Sequence, residues 1–237
     1  MRSAVPRQIA ILGLTYSLLA TFSTFLSAAE QPTGEMVTRD LGILANQAIV
    51  ESLLVKDATG NSLAELPLGR QDIQGVTFNV EPKIVQLGSS FLTEKPLLVT
   101  GIKVDAMYTK LHFLQACGFG RGTGTEDYYV KDGTQIGELT IRYGDGSQEV
   151  LPLVYGENVR DWWKTDEGVN NQPIKGAQVA WTGSNDLAKR LNASLRLYLL
   201  SWQNPHPEKT IATLDYASTG ETYAAPFCVA ITGERAK

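Results

Sequence analysis

Two adjacent tryptophans, Trp162 and Trp163, lie in a polar segment of the sequence directly after Arg160 and Asp161. Aromatic ring faces stack against apolar C–H surfaces, while nearby charged side chains direct hydrogen bonds to hydroxyl groups. This combination is typical of sites that bind sugars. Successive side chains on an extended backbone point to opposite sides, so we expect at most one indole to face solvent. The alternative is that both rings close one end of the hydrophobic core.

A second polar and aromatic group, Glu126 to Tyr129, follows the glycine-rich stretch 118–124. We expect Asp127 and Tyr129 to belong to the same rim as Trp162. The glycine-rich stretch lacks the Gly-Lys-Ser/Thr ending of a P-loop and the helix context of a dinucleotide-binding turn. It therefore predicts a flexible loop rather than a phosphate site.

Catalytic patterns are not evident in the sequence. No serine lies in a Gly-x-Ser-x-Gly nucleophile turn. His112 alternates with apolar residues and is interpreted as a hydrogen-bonded core side chain, and His206, between two prolines, as a structural turn residue. A glycosidase needs two carboxylates across a cleft. Four loop residues carry carboxylates, but only the residue type suggests them for this role: Glu126, Asp127, Glu157 and Asp161.

Two cysteines, Cys117 and Cys228, lie in apolar, strand-like segments. Outside the cytoplasm such a pair can close a disulfide, and the alternative is two separate buried thiols.

The segment Asp57–Ser62 offers oxygen donors and a turn glycine, although not at the spacing of a helix–loop–helix calcium site. The sequence thus predicts no cofactor and leaves a structural calcium open.

The first 29 residues have the pattern of a secretory signal peptide. Arg2 and Arg7 precede an apolar run, which ends in the small residues Ser27-Ala28-Ala29. We expect cleavage after Ala29, and a membrane anchor is the alternative. After cleavage no apolar run is long enough for a membrane span. The sequence predicts a secreted, periplasmic or cell-envelope protein.

The net charge is −4, with acidic and basic residues interspersed along the chain. A protein that binds nucleic acid usually carries a basic stripe, because it must neutralise phosphates. We therefore expect no nucleic-acid partner.

Strand patterns cover most of the chain after residue 36. The stretch 136–155 alternates apolar and polar residues on both sides of Gly144-Asp145-Gly146-Ser147, which predicts a hairpin. The segment 111–117 is apolar on both parities and predicts a central strand covered on both faces. Helix signals are weak, with one or two turns expected within 41–55. Regularly spaced strands and long loops at 118–134 and 156–178 predict an all-β, antiparallel β-sandwich or jelly roll.

Several segments together resemble secreted bacterial β-sandwich modules, similar to galactose-binding-like domains and carbohydrate-binding modules of the NPCBM type. The matching segments span most of the chain: 39–41, 45–46, 66–69, 75–80, 111–116, 136–146, 162–163, 180–183 and 202–205. The resemblance implies a jelly-roll sandwich whose loops bind a glycan. Fold alone does not fix function, and the resemblance supplies no set of ligand contacts.

The sequence therefore predicts a signal peptide (1–29), a short lead (30–38) and one β-sandwich domain (39–237). The first functional interpretation is a secreted, non-catalytic module that binds carbohydrate or a cell-surface polymer. The predicted ligand-binding residues lie in two loops: Tyr129, Asp127, Arg160, Asp161, Trp162 and Trp163. A protein-interaction or structural module of the envelope is the second interpretation, and a glycoside hydrolase-like enzyme is the third.

Overall fold

A computed structural model of the chain describes residues 34–55, 58–120, 129–164 and 172–236. These residues form antiparallel strands joined by turns and loops, so the all-β prediction is confirmed. The signal peptide predicted at 1–29 lies outside the described residues. The strands are β1 (Glu35–Arg39), β2 (Gln47–Ala48), β3 (Gly69–Ile73), β4 (Val76–Val80), β5 (Lys83–Gln86), β6 (Leu98–Ala106), β7 (Lys110–Gly118), β8 (Gln135–Tyr143), β9 (Gln148–Val154), β10 (Trp163–Lys164), β11 (Ala177–Gly183), β12 (Ser194–Gln203), β13 (Ile211–Ser218) and β14 (Ala225–Arg235).

The larger sheet has the order β10-β12-β7-β14-β5-β2, and β1 and β11 pair with β14 and β12 respectively. Its strand β7 pairs along most of its length with a neighbour on each side. Every residue from Leu111 to Gly118 is buried. The prediction of a central strand covered on both faces is therefore confirmed.

A smaller sheet has the order β6-β13-β8-β9, and β3 and β4 form a separate hairpin. The smaller sheet and one face of the larger sheet share a hydrophobic core, to which β7 contributes Leu111 and Phe113. A second core covers the opposite face, where Leu114 and Ala116 of β7 pack with Phe78 of β4. Alternate residues of β7 thus face different cores, because side chains on a strand point to opposite sides.

The predicted hairpin is also confirmed. Strands β8 and β9 pair from Gln135 to Arg142, and Gly146 adopts a φ of +87° in the turn between them. Glycine has no Cβ to clash in this left-handed conformation, which is why Asp-Gly pairs favour tight turns.

Three local features differ from the sequence predictions. Residues 35–38 of the predicted lead form β1 together with Arg39 and pair with the last residues of β14, so the folded part begins before residue 39. Within 41–55 the helical element among the described residues is a 3₁₀ turn, Gly42–Leu44, and not a turn of α-helix. A short helix α1 (Asp186–Arg190) follows Asn185, whose side chain accepts a hydrogen bond from the N–H of Ala188 at 2.7 Å. Five residues are too few to show a helical period, so only the cap could have signalled it.

Among the helices of the described residues, none has the length and apolar character that crossing a membrane requires.

Candidate functional site

The Trp162-Trp163 segment lies against the larger sheet. The N–H of Trp162 donates to the carbonyl of Cys117 at 2.8 Å, and the N–H of Arg196 donates to the carbonyl of Trp162 at 2.7 Å. Trp163 begins β10 and pairs with Leu195 of β12. Backbone hydrogen bonds therefore fix both indoles against the second core.

Both indole rings are covered. Trp162 is 1% exposed and Trp163 is 6% exposed. Their ring centroids are 6.3 Å apart, and Trp162 also meets Phe227 edge to face at 5.9 Å. The prediction of an open indole face is wrong, because burying such large rings removes much apolar surface from water. The alternative, in which both rings close the core, is the one observed.

Arg160 and Asp161 are also committed to the fold. The Arg160 guanidinium is 1% exposed and donates to both carboxylate oxygens of Asp132, at 2.8 and 2.7 Å. The Asp161 carboxylate accepts the N–H of Gly120 at 2.9 Å and the N–H of Trp163 at 2.7 Å. These hydrogen bonds hold loops in place, and a role of the two side chains in binding a ligand stays a prediction.

Of the two remaining predicted site residues, Tyr129 lies within the described part of the chain and Asp127 does not. Tyr129 is half-buried and lines neither of the cavities described below. Asp127 lies outside the described residues, as does Glu126.

Cys117 and Cys228 are free, buried thiols, so the possible disulfide is not formed. Cys117 lies opposite Pro226, two residues before Cys228, on the paired strands β7 and β14. Diagonal neighbours of this kind lie about 7–8 Å apart, whereas a disulfide needs Cβ atoms about 3.8 Å apart. The alternative, two thiols that pack as small apolar side chains, is the one observed.

The possible calcium segment is described only in part, because Asp57 lies outside the described residues. Asn61 is buried, and its side-chain N–H donates to the carbonyl of Leu53 at 3.0 Å. No group of three or more His, Cys, Asp or Glu side chains is arranged for a metal within the described part of the chain. A structural calcium stays an untested prediction.

An open apolar cavity of about 370 Å³ lies over the two indoles. This volume is within the range of small-molecule sites. Its lining is mainly apolar and comes from several distant segments: Leu54, Val55, Asn61, Phe91, Phe119, Asp161, Trp162, Trp163, Leu187, Leu191 and Tyr223. The tryptophans thus form part of the covered wall of a cavity.

Three other aromatic rings form the accessible part of this cavity. Phe91 is 52% exposed, stacks on Tyr223 at 5.2 Å with 25° between the planes, and meets Phe119 edge to face at 5.1 Å. Phe119 has a φ of +57°, which is rare and costly for a bulky residue. Such strain is often kept at functional sites, where the surrounding structure imposes it.

A second open cavity, of about 610 Å³, adjoins the first, because Leu54 lines both. Its lining combines apolar side chains with polar and charged ones. The Lys95 ammonium donates to the Gln47 side chain at 2.9 Å, and burial lowers the pKa of Lys95 against the opposing effect of Glu94 and Glu51. Both of these carboxylates are exposed. The two cavities together present aromatic faces beside charged and amide groups.

The two adjoining cavities together are called the composite site. Sequence reasoning missed its residues. Phe91, Phe119 and Tyr223 lie far apart in the chain, and Phe119 is the one aromatic residue of the glycine-rich stretch 118–124. That isolated phenylalanine among glycines was the only local signal, since exposed aromatic residues often mark binding surfaces.

No protein-family model matches this chain, and no curated protein matches it.

Proposed function

We propose that this chain is a binding protein whose ligand is a carbohydrate or another hydroxyl-rich cell-surface polymer. The apolar C–H face of the ligand lies on Phe91 and Tyr223, and its hydroxyl groups reach Glu51, Glu94 and Lys95. The observation that carries the proposal is the half-exposed Phe91 ring of the apolar cavity, which shares Leu54 with a cavity that carries charged side chains. A sugar offers both kinds of surface, so this pairing favours it over a purely apolar ligand. The proposal gives these residues no catalytic role.

A jelly-roll, galactose-binding-like form of the fold belongs to the same proposal. It is supported by two antiparallel sheets that share a core, and by the resemblance of the sequence segments to such modules. Export through a signal peptide at 1–29 also belongs to it and is supported by the sequence pattern. Envelope and extracellular polymers are then the accessible ligands.

The test is affinity electrophoresis of the purified protein through a panel of polysaccharides, followed by titration of any that retards it. Loss of an aromatic contact costs about 0.5–1.5 kcal/mol, so Phe91→Ala should weaken binding about two- to tenfold. The control is Ile43→Ala, because Ile43 is fully exposed and lines neither cavity. This control should bind like the wild type.

Retardation by no polysaccharide, or equal binding of Phe91→Ala and the wild type, would overturn the proposal. A stoichiometric protein partner from the envelope that is lost in Phe91→Ala would instead favour the interaction-module alternative. Exposed aromatic residues suit protein contacts as well.

A further inference from the structure

A serine, a histidine and a glutamate are aligned across three adjacent strands of the larger sheet, away from the composite site. Ser201 of β12 lies opposite His112 of β7, which lies opposite Thr232 of β14. Glu234 follows Thr232 by two residues and therefore points to the same face. The Ser201 hydroxyl lies 2.8 Å from Nδ1 of His112, and the Glu234 carboxylate lies 3.3 Å from Nε2. The sheet register thus links the three side chains in one chain of hydrogen bonds.

The partners determine which ring nitrogen carries the proton. An ionised carboxylate only accepts hydrogen bonds, so Nε2 of His112 donates to Glu234. The lone pair of Nδ1 then accepts the Ser201 hydroxyl proton. Burial lowers the pKa of His112, with Glu234 opposing this effect and Lys110 adding to it, so the imidazole is neutral near pH 7. A neutral imidazole with this tautomer is a base directed at the serine.

The three hydrogen-bonded side chains differ in their exposure to solvent. The His112 and Glu234 side chains are 4% and 3% exposed, whereas Ser201 is exposed. The N–H of Gly34 also donates to Glu234, at 3.0 Å, and helps to fix the carboxylate. The hydroxyl can therefore meet a molecule from solvent while its base stays buried. A purely structural polar chain does not need its hydroxyl at the surface.

We propose that Ser201, His112 and Glu234 form an acyl-transfer site whose substrates are accessible esters of small acyl groups. Ser201 Oγ bonds to the ester carbonyl carbon, and its proton passes to Nδ1 of His112. The bond to the leaving alcohol breaks, and that alcohol takes the proton from Nδ1. Water then gives a proton to the same nitrogen and bonds to the acyl carbon. The bond from that carbon to Ser201 Oγ breaks, Oγ takes the proton from Nδ1, and the carboxylic acid leaves. Glu234 is a positioning residue that holds the ring and stabilises the transient imidazolium.

This inference is independent of the proposed carbohydrate binding, because the two sites share no residue. The test is reaction of the purified full chain with a fluorophosphonate, which phosphonylates activated serines, followed by intact-mass measurement and peptide mapping. One adduct per chain at Ser201 is expected. Ser201→Ala should give none. Ser147→Ala is the control, because Ser147 is also an exposed serine and its hydroxyl donates a hydrogen bond to Asp145. This control should react like the wild type.

His112→Gln should slow the reaction about 10²- to 10⁴-fold, the usual contribution of a general base. Glu234→Gln should move the midpoint of the pH–rate profile to lower pH, because the lost carboxylate had favoured the imidazolium. Thermal unfolding shows whether these two variants fold. If they do not, wild-type labelling and Ser201→Ala decide alone. Absence of an adduct at Ser201, under conditions that label a known serine esterase, would overturn the inference.

Discussion

Trp162 and Phe91 line the same cavity, yet burial gives them different roles. Trp162 is in contact with Trp163 and Phe227 and is almost fully covered, whereas half of the Phe91 ring is exposed. A covered ring contributes to the free energy of unfolding, and an exposed ring contributes mainly to what binds it. Arg160, like Trp162, contributes to the free energy of unfolding, because its buried guanidinium is paired with Asp132.

We therefore expect Trp162→Ala to lower the free energy of unfolding by about 3–5 kcal/mol, the usual cost of truncating a buried large aromatic ring. Urea denaturation measures this change. Phe91→Ala is the matched control and should change the free energy of unfolding by less than about 1 kcal/mol, because its ring is half exposed. Equal denaturation midpoints for the two variants would contradict the assignment of Trp162 to the core.

Individual elements of the fold depend on a few backbone conformations, and the β8–β9 hairpin is the clearest case. The N–H of Gly146 donates to the carbonyl of Tyr143 at 3.0 Å, and the N–H of Tyr143 donates to the carbonyl of Ser147 at 2.9 Å. Gly146 has a φ of +87°, and a Cβ added there would meet no atom within 4 Å. Gly137, in β8, is crowded instead, because a Cβ would lie 2.3 Å from the Ala217 carbonyl oxygen.

Gly146→Ala should therefore cost about 1–2 kcal/mol of unfolding free energy through backbone conformation alone. Gly146→Asn should cost less, since asparagine tolerates the left-handed region. Gly137→Ala should cost more than either, because the paired backbone of β13 must move. Chemical denaturation of the three variants measures this order. A larger loss for Gly146→Ala than for Gly137→Ala would contradict the conformational explanation.

At the scale of the whole molecule, strands β7 and β14 lie together in the middle of the larger sheet, between the two hydrophobic cores. They carry Cys117 and Cys228, which are both buried. Burial raises the pKa of Cys117 and raises that of Cys228 to about 12. A reagent can therefore reach a reactive thiolate only when the central sheet opens.

We expect neither thiol to react with Ellman's reagent in the native protein at pH 8, and both to react in guanidinium chloride without a reductant. At high reagent concentration any slow reaction of the native protein should proceed at the independently measured rate of global unfolding, because both cysteines are buried on strands in the middle of the larger sheet. Fast reaction of one cysteine would indicate local opening. If neither cysteine reacts in guanidinium chloride, the two form a disulfide, and the spacing of β7 and β14 differs from the one described.

Much of the β structure could be predicted from the sequence, because its signals are local. Alternation with period two predicts β8 and β9, the Asp145-Gly146 pair predicts their turn, and apolar residues on both parities predict the position of β7 between two cores. Local patterns failed for short elements such as α1, and for β1, whose place depends on pairing with the other end of the chain.

The candidate sites were decided by the tertiary structure alone. The sequence contains the adjacent pair Trp162 and Trp163. Whether their rings face solvent depends on the sheet against which the segment packs. Phe91 and Tyr223, or Ser201 and Glu234, become neighbours only through strand order and register, which join residues far apart in the chain. Periodicity determines which side of a strand a residue occupies. Long-range packing determines what lies opposite, and therefore what the residue can do.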